Sequence, residues 1–173
     1  MTREQLEHVI RAACEIAADD ELVVFGSQAI LGQFPDSPPA LTVSMEADVY
    51  PRTHPERADL IGGSIGEGSP FHSTFGYCAQ GIDEGTATLP AGWRVRLIPV
   101  KNANTRGHTG WCLEIYDLLI SKCVAGREKD IRFLHEALSA GFAVPRTLLE
   151  RLAATRVDDE TRDRIQKLLA ALH

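Results

Sequence analysis

The sequence predicts an α+β fold in which strands with interleaved helices come first and a helical bundle follows. An apolar run at 22–25 and an alternation of apolar and polar residues at 41–50 predict strands in the first part. After residue 114, apolar residues recur at helical spacing in four successive segments. The 173 residues suit one compact unit, in which we expect a core with an N-terminal helix at 1–110 and a helical part packed on it at 111–173.

The composition is that of a soluble globular protein, with 44% hydrophobic and 24% charged residues. No stretch approaches the roughly 20 consecutive apolar residues of a membrane helix. The N-terminus lacks the pattern of a secretion signal, so we expect a cytoplasmic protein without a membrane partner. The four cysteines show no CxxC spacing, which predicts buried reduced thiols, and no HExxH or Cys/His spacing of a zinc site is present.

Charge is distributed unevenly along the chain. The net charge of −6 argues against unaided, non-specific binding of nucleic acid. Residues 1–100 contain 6 Lys and Arg against 14 Asp and Glu, whereas 101–173 contain 12 against 10. Anionic phosphates would therefore be bound more readily by the C-terminal part, although solvated charged helices would give the same counts.

The first 40 residues predict a helix, a strand and a tight turn. Thr2 and Gln5 have the spacing of a capping box, and apolar residues at helical intervals then predict a helix over 3–18. The run 22–25 predicts a buried strand that stops at Gly26-Ser27, after which 28–31 is compatible with a helix. Prolines and turn formers at 35–39 predict a loop.

The remaining elements alternate between strands and helices before helices dominate. We expect a strand at 41–50, a helix from Pro55 to about residue 65, and a loop at 66–70. Further strands are expected at 75–80, 94–100 and 111–114. The C-terminal helices are expected at 115–124, 128–140, 145–154 and 158–172.

Two acidic residues on the strand at 41–50 are candidate metal ligands. Glu46 and Asp48 lie two residues apart, so both side chains project from one face of an extended strand. Mg²⁺ usually takes one or two carboxylates together with substrate phosphates. A Gly-Ser turn that opens a helix offers backbone N–H groups and a hydroxyl to a triphosphate. A solvated strand edge and an ordinary turn are the alternatives for these two features taken singly.

The order of these motifs resembles a known family. The segments 24–30 (VFGSQAI) and 44–49 (SMEADV) are similar to the hydrophobic-Gly-Ser and acidic-x-acidic signature of minimal nucleotidyltransferases of the DNA polymerase beta superfamily. The segments 117–122 (DLLISK) and 125–130 (AGREKD) resemble a helix-borne pattern of the bacterial branch related to abortive-infection nucleotidyltransferase toxins. The resemblance implies a nucleotidyltransferase-like mixed β-sheet flanked by helices.

The resemblance also implies roles for individual residues. Glu46 and Asp48 would ligate Mg²⁺ or Mn²⁺ and, with Lys122 and Asp130, form the catalytic set. The residues expected to bind the nucleotide are Gly26, Ser27, Gln28, Arg96, Lys122, Arg127 and Lys129. For Lys122, Lys129 and Asp130, a solvated helix face is the alternative explanation.

Three departures from the family pattern concern the acidic residues. Glu46 stands where the family usually has Asp, and the gap between Ser27 and Glu46 is longer than usual. The third carboxylate, which many of these enzymes use as a general base, is unassigned, with Asp83, Glu84 and Glu114 as candidates by position.

From these features we expect a Mg²⁺-dependent nucleotidyltransferase that transfers a nucleoside monophosphate from a nucleoside triphosphate to an acceptor. The acceptor implied by the resemblance is a tRNA 3′ end or another RNA, or a protein hydroxyl, in a toxin held in check by an antitoxin. The alternatives are a catalytically degenerate nucleotide- or partner-binding module with the same fold, and an enzyme that modifies a small molecule.

Overall fold

A mixed five-stranded sheet forms the centre of the computed structural model, which describes residues 1–172. The strands are β1 (Glu21–Phe25), β2 (Glu46–Pro51), β3 (Cys78–Gly81), β4 (Ile98–Val100) and β5 (Thr109–Cys112), in the order β3-β2-β1-β5-β4. β1 is antiparallel to β2 and parallel to β5, whereas β3 is parallel to β2 and β4 is antiparallel to β5. The mixed sheet flanked by helices confirms the predicted fold class.

The central strand β1 leads directly into the turn at Gly26-Ser27. It is buried along Leu22–Phe25, with β2 and β5 paired along its two edges and α1 packed against it. In the antiparallel register with β2, Phe25 lies opposite Asp48 and Leu22 opposite Pro51. The carboxyl end of β1 therefore meets the middle of β2, where Asp48 lies.

Eight α-helices lie within residues 1–172. They are α1 (Arg3–Ala17), α2 (Ile30–Gln33), α3 (Ala58–Ile65), α4 (Pro70–Phe75), α5 (Ile115–Ala125), α6 (Glu128–Ser139), α7 (Pro145–Ala153) and α8 (Asp159–Ala170). α1 and α3 pack together and contact the sheet, while α5 contacts α6, α7 and α8. The last four helices thus form the predicted C-terminal bundle.

The ends of several helices follow from residues that the sequence shows. The Thr2 side chain accepts from the Gln5 backbone and the Gln5 side chain accepts from Thr2, which completes the predicted capping box of α1. Gly126 takes the left-handed conformation that ends α5, with φ +65°. The Asp158 side chain caps α8. The predicted bounds of α1 and of α5–α8 agree with the observed ones within two residues.

The predicted strand at 41–50 is wrong in its first half. β2 begins only at Glu46. Farther upstream, Pro39–Leu41 forms a 3₁₀ turn, and Leu41 is buried within that turn and not within a strand. Val43 and Met45, expected on the buried face, are 76% and 38% exposed. The alternation therefore describes a strand only from residue 46 onward.

Three other segments differ from the expectation. The predicted loop at 66–70 ends at Pro70 and the predicted strand at 75–80 begins at Phe75, but Pro70–Phe75 is the helix α4 and β3 begins at Cys78. Ser69 caps α4, and Pro70 supplies its first-turn position. The predicted strand at 94–100 is β4 from Ile98 only, since Trp93–Val95 forms a 3₁₀ turn. The predicted domain boundary at residue 110 falls inside β5, which belongs to the central sheet.

The four cysteines lie in the interior of the protein. Cys14, Cys78, Cys112 and Cys123 are all buried free thiols, as predicted. Within residues 1–172 no helix is both long enough and apolar enough to cross a membrane.

Candidate active site

The turn after β1 places backbone directly against a carboxylate. Gly26 has φ +63°, in the left-handed region that glycine adopts without strain. A Cβ atom on residue 26 would collide with Asp48 Oδ2, so any other residue would have to displace this carboxylate. A 3₁₀ turn (Ser27–Ala29) follows and leads into α2. The predicted Gly-Ser turn and helix start are present, although the helical segment is short.

The two predicted metal ligands lie on one face of β2. Glu46 and Asp48 alternate along the strand with the fully buried Ala47 and Val49. Both carboxylates line a cavity of ≈ 460 Å³ together with Gly26 and Ser27. The structure thus brings the turn and the acidic pair to the same side of the sheet.

Lys122 joins the helical bundle to this cavity. Its Nζ atom donates hydrogen bonds to Ser27 Oγ at 2.9 Å and to Asp130 Oδ1 at 3.2 Å. The ammonium group also lies 4.4 Å from the ring centroid of Phe133, a cation–π contact. Since the residue is only 8% exposed, these contacts fix the ammonium beside the Gly-Ser turn.

Asp130 holds two cations at the edge of the cavity. Its side chain is fully buried and accepts from Lys122 and, at 2.6 Å, from Arg127 Nε. Arg127 is 63% exposed in its side chain, so most of its guanidinium faces solvent. Asp130 therefore positions the two basic groups from within the protein.

Burial and charge shift the pKa values of these groups in opposite directions. Burial and the neighbouring Asp48 raise the pKa of Glu46. Burial also raises the pKa of Asp48, an effect that Lys122, Lys129 and Arg127 oppose. For Asp130, burial acts to raise the pKa, but hydrogen bonds from Arg127 and Lys122 outweigh it and lower the pKa below its ordinary value.

Burial disfavours the charged form of Lys122 as it does that of Glu46 and Asp48. Burial lowers the pKa of Lys122, and the charge of Asp130 opposes that shift. Two carboxylates with raised pKa values at one cavity are a set of donors that a bound cation would stabilise in the ionised form.

The remaining walls of the cavity combine positive charge with apolar surface. Lys129 and Arg127, both predicted nucleotide contacts, line it together with Arg132 and Phe133. The opposite wall is built from the segment before β2, which includes Val43. Arg132 and Phe133 were not predicted; their spacing from Lys129, three to four residues along α6, was the available signal.

Two predicted nucleotide contacts lie outside this cavity. Gln28 is fully buried, and its Nε2 atom donates to Ser44 O at 2.8 Å, bracing the loop before β2. Arg96 forms a bidentate ion pair with Asp117 on α5, at 2.8 and 2.9 Å. Neither side chain is brought to the acidic pair by the fold.

The candidates for a third carboxylate are also elsewhere. Glu84 pairs with Arg94, Glu114 caps the N-terminus of α5, and Asp83 precedes a 3₁₀ turn. On β3, the strand paired with β2, Cys78 lies opposite Glu46 and Gln80 opposite Asp48. The Cys78 thiol lies 3.9 Å from Glu46 Oε2.

A divalent cation fits the donors that the protein offers. Among residues 1–172, no group of three or more His, Cys, Asp or Glu side chains converges as a self-sufficient metal site. Glu46 and Asp48 would supply two hard oxygen ligands, and substrate phosphates and water would complete the shell, as is usual for Mg²⁺.

Comparison with known proteins identifies one family. A family model described as nucleotidyltransferase of unknown function (DUF6036) matches residues 4–169. No curated protein and no solved structure matches the chain significantly.

Proposed function

The chain belongs to this nucleotidyltransferase family, and on that premise we propose that it transfers a nucleoside monophosphate from a nucleoside triphosphate to an acceptor, with Mg²⁺ or Mn²⁺ bound by Glu46 and Asp48. Pyrophosphate would leave as an acceptor oxygen forms the new bond to the α-phosphorus. The observation that carries the proposal is the meeting of Ser27, the acidic pair and Lys122 at one cavity.

Each of these groups has a place in such a reaction. The Ser27 hydroxyl and the backbone of the Gly-Ser turn would bind phosphate oxygens, as turns that open a helix do. The Lys122 ammonium would stabilise negative charge on the departing pyrophosphate, and Asp130 would keep that ammonium in position. The cation, when bound, would neutralise charge on the phosphates.

The acceptor we favour is a polyanion. Arg127, Lys129 and Arg132 form a basic rim beside the acidic pair. The triphosphate would contact the inner side of this rim, while the side chains of Arg127 and Arg132, 63% and 70% exposed, would stay accessible to the acceptor. Exposed arginines suit an RNA, including a tRNA 3′ end, better than a neutral protein hydroxyl. By the resemblance to abortive-infection proteins, the proposal extends to a toxin whose activity is restrained by an antitoxin.

A labelling assay tests the proposal. Purified protein, each of the four radiolabelled nucleoside triphosphates, Mg²⁺ and total RNA or lysate are combined, and label in macromolecules is counted. Wild-type protein should transfer label, and Asp48→Asn should abolish transfer. Asp83→Asn, which removes a carboxylate outside the cavity, is the matched control and should retain activity. No labelling by wild type with any triphosphate would refute the proposal.

A second candidate is a module that binds nucleotide without turnover. It is favoured by the side chains of β3, where Cys78 and Gln80 rather than a carboxylate pair with Glu46 and Asp48. Calorimetry separates the two functions. Binding of Mg²⁺-triphosphate without product over hours would support the module.

A further inference from the structure

A second cavity adjoins the first on the other side of Asp48. Its volume is ≈ 180 Å³, and it shares Gly26, Asp48, Lys122, Arg127 and Asp130 with the larger cavity. Its own walls come from α5, which contributes Leu118 and Ser121, and from the segment after β3. A ligand could therefore extend from one cavity into the other past the Asp48 carboxylate.

The two cavities differ in chemistry. Lys129 and Arg132 line only the larger cavity, whereas Arg127 and Lys122 line both, so the larger one carries more positive charge, as a triphosphate requires. Every residue that lines only the smaller cavity is uncharged, and these residues combine apolar side chains with the hydroxyl-bearing Thr86 and Thr88. Apolar walls with a few polar groups are the usual surroundings of a heterocyclic ring.

The size of the smaller cavity sets a limit on its occupant. At about 30 Å³ per water molecule it holds about six waters, which suits a base with part of a sugar and not a complete nucleoside triphosphate. The phosphates of such a ligand must then lie in the larger cavity. The atom at the junction, beside Asp48, would be the α-phosphorus.

The walls of the smaller cavity are held in place by ion pairs. Arg96, which follows the segment with Thr86 and Thr88, makes its bidentate pair with the buried Asp117 of α5. Glu84 pairs with Arg94 at the start of that segment. The two walls are thus tied to each other, which lowers the entropic cost of binding a ligand between them.

From these observations we propose that the smaller cavity binds the nucleoside part of the triphosphate. The triphosphate then runs past Asp48 into the basic cavity. This inference rests on the proposed function, since it takes the larger cavity as the phosphate site.

Calorimetry with two probes tests the inference. Mg²⁺-tripolyphosphate probes the phosphate site alone, and Mg²⁺ complexes of ATP, GTP, CTP and UTP probe both cavities. Wild type should bind at least one nucleotide about tenfold or more tightly than tripolyphosphate. Ser121→Leu, which fills the smaller cavity, should lower that affinity to the tripolyphosphate level and leave tripolyphosphate binding unchanged. Ser139→Leu, the same change at an exposed position of α6 outside both cavities, is the matched control and should stay within about threefold of wild type.

Other outcomes separate the two proposals. If wild type binds neither probe, the proposed function fails. If it binds every nucleotide no better than tripolyphosphate, or if Ser121→Leu binds nucleotides normally, the nucleoside assignment is overturned. If Ser121→Leu binds nucleotide normally but no longer transfers label, the acceptor lies in the smaller cavity, which also overturns the nucleoside assignment. Should Ser121→Leu fail to fold by circular dichroism, Ala87→Leu fills the cavity from the opposite wall and gives the same comparison.

Discussion

Replacing Asp130 by asparagine should weaken the link between the helical bundle and the Gly-Ser turn. The Asp130 side chain is fully buried, and Lys122, its partner, is 9% exposed in its side chain. Asp130→Asn keeps the shape but removes the charge that compensates the buried ammonium. Lys122 would then keep only uncharged partners, which are the Ser27 hydroxyl, the ring of Phe133 and the amide oxygen of the new side chain.

The expected magnitude follows from the burial of the two partners. Breaking a buried ion pair by removing one partner costs about 3–5 kcal/mol. The pair with Arg127 adds no more than about 1 kcal/mol because that guanidinium is largely exposed. Since asparagine still offers one acceptor, we expect a loss of about 3 kcal/mol in the free energy of unfolding. For a chain of this length, that lowers the Tm by about 6–12 °C.

Urea unfolding at pH 7 measures this loss, and a double-mutant cycle with Lys122→Met isolates the pair. The two costs should be non-additive by about 1–3 kcal/mol, with the double variant more stable than the sum predicts. Glu128→Gln is the control, because Glu128 is an exposed acidic residue of the same helix; it should change stability by less than about 0.5 kcal/mol. Wild-type stability in Asp130→Asn, or costs that simply add, would refute the coupling.

Three further predictions concern other parts of the fold. Gly26→Ala should lower the free energy of unfolding by about 1–3 kcal/mol and abolish Mg²⁺-triphosphate binding in calorimetry, because the added Cβ meets a carboxylate at a positive φ. Gly63→Ala, which has open space around its Cβ, should keep both the stability and the binding. Arg96→Ala should lower the free energy of unfolding by about 3 kcal/mol in thermal unfolding, since Asp117 loses its bidentate partner. The variant should still bind tripolyphosphate within about twofold of wild type. Weaker binding at unchanged stability would contradict the placement of Arg96 outside the phosphate site. Burial acts to raise the pKa of Asp19, but hydrogen bonds from three backbone amides outweigh it and lower the pKa below 3.8. The stability that this group contributes is therefore present above about pH 3.8 and lost as the pH falls through the folded-state pKa. Asp19→Asn should flatten this decline in stability, measured by urea unfolding between about pH 5 and 2. An unchanged decline would contradict the role of Asp19.

The elements that the sequence predicted best are those with local causes. The capping box of α1 and the glycine after α5 mark helix ends by short-range hydrogen bonding and backbone preference, so periodicity and caps suffice to find them. The pair Glu46 and Asp48 was found because side-chain alternation on a strand is a local property. The strand's start was missed because Pro39 begins a turn that the alternating pattern does not reveal.

The parts of the site that could not be predicted depend on long-range packing. Arg96 is as basic as Arg127, and each pairs with a buried aspartate, but Asp130 lies at the cavity whereas Asp117 does not. Gln28 directly follows Ser27, yet the 3₁₀ turn directs its amide toward Ser44. In both cases the residue type suggests a phosphate contact, but the sequence does not show the direction in which the side chain points.

We propose that Glu46, Asp48, Ser27 and Lys122 form one metal and triphosphate site. A crystal structure with Mn²⁺ and a non-hydrolysable nucleoside triphosphate is the decisive experiment, because anomalous scattering locates the metal. We expect a Mn²⁺ peak between the Glu46 and Asp48 carboxylates, with phosphate oxygens against Ser27 and Lys122. A nucleotide bound elsewhere, or phosphates at this cavity with no metal on the acidic pair, would contradict it.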